Sequence, residues 1–253
     1  AADVAGLDAM AVGCSAAVVC VLPHCKWQGR YLMTRVLNAE RREPVSGETR
    51  SVVVFVHGYG ANGADLLGLA DSLSEHLPDT LFIAPDAPEM IPGMPNGYQW
   101  FPIPYIDGSS EEESERGMDS AVEDFNSFLD ALMVDEDVLP EQVVLFGFSQ
   151  GAMMSLHIAP RREDELAGVV AIAGRLLRPD LLADEVVGRP PILLVHGDQD
   201  DVVPPQSLQL AAEALEEAGW KDVFAHVMQG TAHGIAPDGL SVSLAFMRDK
   251  LGL

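Results

Sequence analysis

The sequence is poor in cysteine and in basic residues. Its three cysteines all lie within the first 25 residues, so no disulfide can join parts of the chain beyond them, which suits a reducing cytoplasm. Lysine and arginine together number 15 against 39 acidic residues, and the formal net charge is −24. A field of that sign repels nucleic acid and anionic membrane surfaces, so we expect neither as a partner.

The sequence also has no uninterrupted apolar segment long enough to span a bilayer, so stable membrane association is not expected. With 253 residues, of which 48% are hydrophobic, the chain can bury one sizeable core. Its first residues differ from the rest, because the nearly uncharged stretch Met10 to Pro23 is preceded by acidic residues, unlike a secretory signal. Met33 begins a segment that looks like a natural start. We therefore predict an N-terminal extension of unknown role at residues 1–32 and one domain at residues 33–253.

Beyond the extension, short apolar strands alternate with amphipathic helices. The runs are rich in β-branched residues and buried on both faces, as in a parallel sheet. The predicted strands cover residues 51–56, 80–84, 143–148, 168–173, 191–195 and 222–228. Helices are predicted at 152–159, 206–218 and about 240–251, with further apolar stripes at 66–77 and 118–132. This alternation predicts an α/β fold with a mostly parallel sheet.

One of these strands ends abruptly in Gly-Phe-Ser-Gln-Gly, residues 147–151. A serine at a tight strand-to-helix turn is held where a base can reach its proton, so Ser149 is the candidate nucleophile. Gly147 and Gly151 allow the turn, because a side chain at either position would collide with the neighbouring backbone. The N–H of Gln150 would point at a developing oxyanion. The pentapeptide alone is equally consistent with a serine that caps a helix.

The strand at 51–56 is followed by a glycine-rich turn, residues 57–63. A backbone N–H in this turn, that of Tyr59, could supply the second donor of an oxyanion hole. The preceding His57 is interpreted as structural, a histidine at a strand end that forms hydrogen bonds within the turn.

Candidates for the acid and the base of a catalytic triad follow in the last third of the chain. Three aspartates, Asp198, Asp200 and Asp201, follow the strand at 191–195, where a carboxylate can orient a histidine. Spacing alone does not choose among them. His233, between small residues and glycines, is the candidate base. The order of nucleophile, acid and base is that of α/β-hydrolases.

The segment between Pro85 and Gly108 reads as a long loop rich in aromatic residues and methionine. Loops of this length in compact domains are commonly functional, and the aromatic content argues against disorder. We interpret it as one wall of an apolar substrate cleft, with Met94, Trp100 and Phe101 as substrate-binding residues. A packing role is the close alternative. No metal site is suggested by the sequence.

Taken together, these motifs resemble the carboxylesterase/phospholipase family of α/β-hydrolases, which includes the acyl-protein thioesterases. The resemblance covers roughly residues 33–253 and rests on five segments: Val-His-Gly-Tyr-Gly at 56–60, Gly-Tyr-Gln-Trp-Phe at 97–101, Gly-Phe-Ser-Gln-Gly at 147–151, His-Gly-Asp-Gln-Asp-Asp-Val-Val-Pro at 196–204 and Ala-His-Gly at 232–234. It implies that the catalytic acid is Asp200 and that Asp198 is a turn residue. Asp201 stands where the family often has proline.

The resemblance further implies an α/β-hydrolase fold, a mostly parallel sheet with helices on both faces. It implies a serine carboxylesterase that acts on small-molecule esters of short to medium acyl length, needs no cofactor and pairs as a homodimer in the cytoplasm. Acyl-protein thioesterase or lysophospholipase activity on longer chains is the alternative. A binding protein of the same fold that has lost turnover is a third possibility.

Overall fold

A seven-stranded sheet organises residues 34–253, the part of the chain that this computed structural model describes. The predicted extension, residues 1–32, lies outside the described residues. The strands, including a separate two-stranded ribbon of β4 and β5, are β1 Ala39–Arg42, β2 Ser51–Val56, β3 Thr80–Pro85, β4 Glu89–Met90, β5 Tyr98–Gln99, β6 Val143–Phe148, β7 Gly168–Ile172, β8 Ile192–Gly197 and β9 Val223–Met228. In the main sheet the order is β1-β3-β2-β6-β7-β8-β9, and only β1 is antiparallel to its neighbour.

Helices cover both faces of this sheet and bury two separate apolar clusters. They are α1 Gly63–Leu67, α2 Ala70–Leu73, α3 Pro104–Asp107, α4 Glu111–Asp135, α5 Gln150–Ile158, α6 Leu182–Glu185, α7 Gln206–Glu217 and α8 Pro237–Lys250. One cluster contains Phe125 of α4, Leu156 of α5 and Leu215 of α7. The other contains Leu73 of α2 and Met247 of α8. The predicted fold class is confirmed.

Strand β2 shows why its sequence is apolar without interruption. All six of its residues are buried. Because side chains alternate between the faces of a strand, Val54 and Val56 join the cluster beneath α4, α5 and α7. Val53 and Phe55 join the cluster on the opposite face. A strand covered on both faces needs apolar residues at every position, and this is the pattern that identified it in the sequence.

The structure differs from the sequence prediction where polar residues or glycine interrupt a pattern. Strand β1 was not predicted, because all four of its residues are exposed and it contributes only an edge to the sheet. The apolar stripe at 66–77 belongs to two short helices, and the N–H of Leu69 bonds to the carbonyl of Leu66 at the break beside Gly68. The loop between Pro85 and Gly108 contains the β4–β5 ribbon and α3.

Residues 34–253 contain no helix that combines the length and the apolar character needed to cross a bilayer. Over the same range, no group of three or more histidine, cysteine, aspartate or glutamate side chains is arranged to hold a metal ion.

Candidate active site

Ser149 lies at the turn between β6 and α5 with a strained backbone. Its φ of 53° and ψ of −117° are unusual for a residue with a side chain. The two flanking glycines make the turn possible. A Cβ on Gly151 would lie 1.9 Å from the carbonyl oxygen of Val56, and one on Gly147 would lie 2.5 Å from that of Gly151. No side chain fits at these distances, so helix α5 can begin directly against β2 and present Ser149 at the end of the sheet.

Three side chains from three loops form a continuous hydrogen-bonded chain at this edge. The Oγ of Ser149 lies 3.0 Å from Nε2 of His233, and Nδ1 of His233 lies 2.8 Å from Oδ2 of Asp200. The ring of Phe148 lies 5.0 Å from the imidazole, centroid to centroid, and limits its movement. Since the carboxylate can only accept, Nδ1 carries the proton and Nε2 is free to take one from Ser149.

The structure brings Asp200, and neither of its two competitors, to His233. Its side chain is fully buried, and its Oδ1 accepts hydrogen bonds from the N–H groups of Val202 and Val203, both at 2.9 Å. Burial by itself raises the pKa of Asp200, but the bonds from His233 and these two N–H groups outweigh it and hold the pKa below its usual value. Asp200 is therefore ionised at neutral pH and able to stabilise an imidazolium.

The other two aspartates have different surroundings. Asp198 accepts a hydrogen bond from the N–H of Gly230 at 2.6 Å, and so connects the loops after β8 and β9. Asp201 is exposed to solvent. The bond from Gly230 to Asp198 agrees with the turn role that the sequence analysis gave to Asp198.

His196 is a member of the site that sequence reasoning missed. It is 2% exposed, and its Nε2 lies 2.9 Å from the carbonyl oxygen of Val203 and 3.2 Å from Oδ2 of Asp200. Both neighbours are hydrogen-bond acceptors, so a proton on Nε2 of His196 is shared between them. His196 therefore supports the same carboxylate oxygen, Oδ2 of Asp200, that His233 contacts. The only feature of the sequence that could have indicated this role is the position of His196 at the start of the motif at 196–204, two residues before Asp198.

The two predicted oxyanion donors belong to residues close to Ser149. Gln150 is the first residue of α5, and the glycine before Tyr59 approaches Ser149 so closely that a Cβ on Gly58 would lie 3.2 Å from Cβ of Ser149. Within residues 34–253, neither the N–H of Tyr59 nor that of Gln150 donates a hydrogen bond to another group. Two unpaired N–H groups beside a serine can stabilise a negative oxygen that forms on its substrate.

The side chain of Gln150 has a structural role that the sequence analysis did not predict. It is 1% exposed; its Oε1 accepts the N–H of Trp100 at 2.9 Å, and its Nε2 donates to the carbonyl of Phe101 at 2.7 Å. The same segment bonds to the oxyanion turn, since the carbonyl of Tyr98 accepts the N–H of Gly60 at 2.8 Å. The side chain of Gln150 therefore connects the start of α5 to the segment that follows β5, and β5 is hydrogen-bonded to the turn that contains Tyr59.

His57 is structural, in keeping with its interpretation from the sequence. Its Nε2 accepts the N–H of Ala87 at 2.9 Å, so the proton resides on Nδ1, which donates to the carbonyl of Gly58 at 2.8 Å. Burial lowers its pKa, and the bond to Gly58 only partly offsets that effect. A neutral, buried His57 shapes the turn and takes no proton from Ser149.

A cavity of about 290 Å³ opens above Ser149. It is lined by Gly58, Tyr59, Ala61, Asp65, Leu66, Phe148, Ser149 and His233. None of the three residues predicted to bind substrate, Met94, Trp100 and Phe101, lines it.

Trp100 and Phe101 are core residues, which corrects their prediction as cleft residues. Trp100 is fully buried and Phe101 nearly so. The Trp100 ring packs edge-on against Phe125 at 5.1 Å, and its Nε1 donates to the carbonyl of His57 at 2.9 Å. The aromatic content of the loop thus reflects packing beneath the oxyanion turn. Met94 is partly exposed, with its sulfur against Gly60 of that turn, and its contact with substrate stays a prediction.

Comparison with known proteins places the chain in a family. A family model described as Phospholipase/Carboxylesterase matches residues 39–250. Among solved structures, esterase PE8 has 38% identity and a TM-score of 0.81, with 86% of this chain and 100% of that chain covered. Acyl-protein thioesterase 1 of Kluyveromyces lactis is 31% identical over 227 residues, 86% of this chain and 99% of that protein.

A more distant structure agrees on the fold. Acyl-protein thioesterase 2 of Zea mays has 24% identity and a TM-score of 0.68 over 85% of this chain and 99% of that chain. A likeness at this identity bears on the arrangement of strands and helices alone. The matched family model includes every loop that contributes to the hydrogen-bonded chain of Ser149, His233 and Asp200. The chain therefore belongs to the phospholipase/carboxylesterase family of α/β-hydrolases and is a serine hydrolase of carboxylic esters.

Proposed function

We propose that this protein hydrolyses carboxylic esters of short to medium acyl length through Ser149, His233 and Asp200. The observation that carries the proposal is the hydrogen-bonded chain from Oγ of Ser149 through His233 to the buried carboxylate of Asp200. A serine hydroxyl needs such a base to become a nucleophile. The strained turn at Ser149 presents the hydroxyl to a cavity in which an ester can be held.

In the first half of the proposed reaction, Oγ of Ser149 forms a bond to the acyl carbon while its proton passes to Nε2 of His233. The carbonyl electron pair moves onto the oxygen, which accepts hydrogen bonds from the N–H groups of Tyr59 and Gln150. Asp200 stabilises the imidazolium. The bond from the acyl carbon to the alcohol oxygen then breaks, and His233 returns its proton to the leaving alcohol.

The second half repeats these steps with water. His233 takes a proton from the water while the water oxygen attacks the acyl-enzyme carbonyl. The same two N–H groups donate hydrogen bonds to the second oxyanion. Collapse of that intermediate breaks the ester bond to Ser149, which regains its proton from His233. The products are the carboxylic acid and free enzyme.

The size of the cavity favours short acyl chains, whereas the names of relatives point to thioesters of acylated proteins. About 290 Å³ is small for a ligand site. Several curated relatives are named acyl-protein thioesterase 1, so acyl-protein thioesterase or lysophospholipase activity is the second candidate. An apolar pocket separates neighbouring chain lengths by only about 1 to 3 kcal/mol per methylene. Broad specificity is therefore expected. The homodimer and the cytoplasmic location stay predictions.

Hydrolysis of p-nitrophenyl esters from acetate to palmitate tests the proposal. We expect kcat/KM to be highest for acyl chains of short to medium length, and expect thioesters of the same acyl groups to react as well. A maximum at palmitate would favour the second candidate. A folded protein that hydrolyses no ester and is not labelled by a fluorophosphonate would contradict both candidates and favour a binding protein.

Replacing Gln150 by methionine should lower kcat by about 10- to 100-fold with a smaller effect on KM. The main-chain N–H of residue 150 remains, but the N–H of Trp100 and the carbonyl of Phe101 lose their partners in the core. The oxyanion turn is bonded to that segment and would shift away from Ser149. Steady-state kinetics on p-nitrophenyl butyrate checks this.

The matched control for this variant is Gln142→Met. The side chain of Gln142 also makes two backbone hydrogen bonds, to the N–H of Leu139 at 2.8 Å and the carbonyl of Arg50 at 2.7 Å, but it precedes β6 at the other end of the strand. We expect Gln142→Met to keep its kcat. An equal fall in kcat for both variants, or none for Gln150→Met, would refute a positioning role for Gln150.

A further inference from the structure

A second and larger cavity, of about 650 Å³, meets the Ser149 cavity at Tyr59. Tyr59 is the one residue that lines both of these cavities. The larger cavity is formed by the segment after β3, by the stretch around α3 and by the first turns of α4. Ile91, Pro92 and Pro102 give its lining apolar surface, and the other side chains that line it are mostly polar or charged: Glu89, Gln99, Asp107, Ser109, Glu113, Arg116 and Ser120.

The two ends of Tyr59 face different cavities. Its main chain follows Gly58, where an added Cβ would lie 3.2 Å from Cβ of Ser149. The N–H of Tyr59 is therefore on the side of the smaller cavity. Burial raises the pKa of the phenol, and the nearby carboxylate of Asp107 raises it further. Asp107 lines the larger cavity and not the smaller one. Since Tyr59 itself lines both cavities and its main chain lies beside Ser149, its side chain is the part that reaches the larger cavity.

The main chain of Tyr59 is held without help from its side chain. The N–H of Gly60 donates to the carbonyl of Tyr98 at 2.8 Å, and the N–H of Tyr98 donates to the carbonyl of Ala61 at 2.9 Å. Gly60 adopts a φ of 81°, which completes the turn at little steric cost. A smaller side chain at position 59 would thus leave the proposed oxyanion donor in place while it removes the ring.

We propose that the side chain of Tyr59 is the wall between the two cavities and sets the upper limit of acyl chain length. With the ring in place, an acyl chain on Ser149 is confined to about 290 Å³. Without it, the chain continues into the larger cavity and contacts Ile91, Pro92 and Pro102. The apolar part of the larger cavity is then a second binding site, which takes the end of an aliphatic acyl chain. This inference rests on the proposed ester hydrolysis.

The test is the chain-length profile of kcat/KM for p-nitrophenyl esters from acetate to dodecanoate, measured for wild type, Tyr59→Phe, Tyr59→Leu and Tyr59→Ala. Phenylalanine keeps the ring, so its profile should match wild type. Because the N–H of Tyr59 is a proposed oxyanion donor, each profile is expressed relative to that variant's own kcat/KM for the acetate ester, and the inference is judged by the shape of the profile. For acyl chains longer than the wild-type optimum, kcat/KM of the alanine variant should rise about fourfold per added methylene, because each added methylene is transferred from water into the cavity. The leucine variant should have an intermediate optimum.

A further substitution tests whether the added chain occupies the larger cavity. Pro92 is exposed at the rim of that cavity, so Pro92→Trp in the Tyr59→Ala background should narrow it and return the optimum towards wild type. A wild-type profile in both the leucine and the alanine variants would overturn the inference, as would a shifted optimum that Pro92→Trp leaves unchanged. A wild-type protein inactive on every ester would instead overturn the proposed function.

Discussion

Substitution of Ser149 by alanine should reduce kcat for ester hydrolysis by about 10⁴- to 10⁶-fold, since loss of the nucleophile removes the whole covalent route. The fold should be retained. The Oγ of Ser149 bonds to His233 and to no other described group, and alanine has the same Cβ at the strained φ of 53°. Stopped assays at high enzyme concentration, together with fluorophosphonate labelling, measure the loss, and thermal unfolding reports the fold.

Ser243→Ala provides the matched control. Ser243 is fully buried within α8, and its Oγ donates to the carbonyl of Gly239 at 2.7 Å. Removing that hydroxyl should cost about 1 kcal/mol of stability and leave kcat unchanged. Full esterase activity in the Ser149→Ala protein would show that another residue is the nucleophile and would remove the basis of the mechanism.

Substitution of Asp200 by asparagine should lower kcat by about 10³- to 10⁴-fold. The asparagine oxygen can still accept the N–H groups of Val202 and Val203, which leaves its NH₂ group facing Nδ1 of His233. Nδ1 must then accept, so the proton moves to Nε2 and points at Ser149. In that tautomer the imidazole cannot take the serine proton.

The comparison with the two neighbouring aspartates makes this prediction specific. Asp198→Asn keeps an oxygen that can accept the N–H of Gly230, and Asp201→Asn changes only an exposed side chain. Both should keep kcat within about threefold of wild type. If either lowered kcat more than Asp200→Asn does, the assignment of the acid would be wrong.

The low pKa of Asp200 also has a consequence for stability. Its folded-state value lies below the ordinary value of about 3.9. The carboxylate therefore stabilises the fold at every pH above that value, and this contribution is lost as the pH falls through the folded pKa. Near neutral pH, Asp200 stays charged, and changes of activity there have to come from other groups.

The elements nearest to the chemistry were predictable because each has a local signal. Strand β2 is apolar at every position, and its predicted bounds agree with the structure. Gly147 near the end of β6 and Gly151 in the first turn of α5 lack side chains, which makes room for the turn at Ser149. Both signals arise from contacts that a residue makes wherever a strand is buried on two faces or turns sharply into a helix.

The errors arose where an aromatic or polar residue owes its place to distant partners. Trp100 looked like a cleft residue, yet its surroundings come from His57 and Phe125, 43 and 25 residues away in the sequence. The side chain of Gln150 bonds to a segment about 50 residues before it. No periodicity records such contacts, because they depend on how the loop folds back over the sheet.

The sequence by itself determined which side chains can do chemistry here and in what order they occur. Local pattern identified the serine, the histidine and a group of three aspartates, and the resemblance to a family favoured Asp200. Only the tertiary structure decided the partnerships, since His233 meets Asp200 across 33 residues and Ser149 across 84. Parallel strands bring their carboxyl ends to one edge, and the loops there place Tyr59 between two cavities, which no single segment encodes.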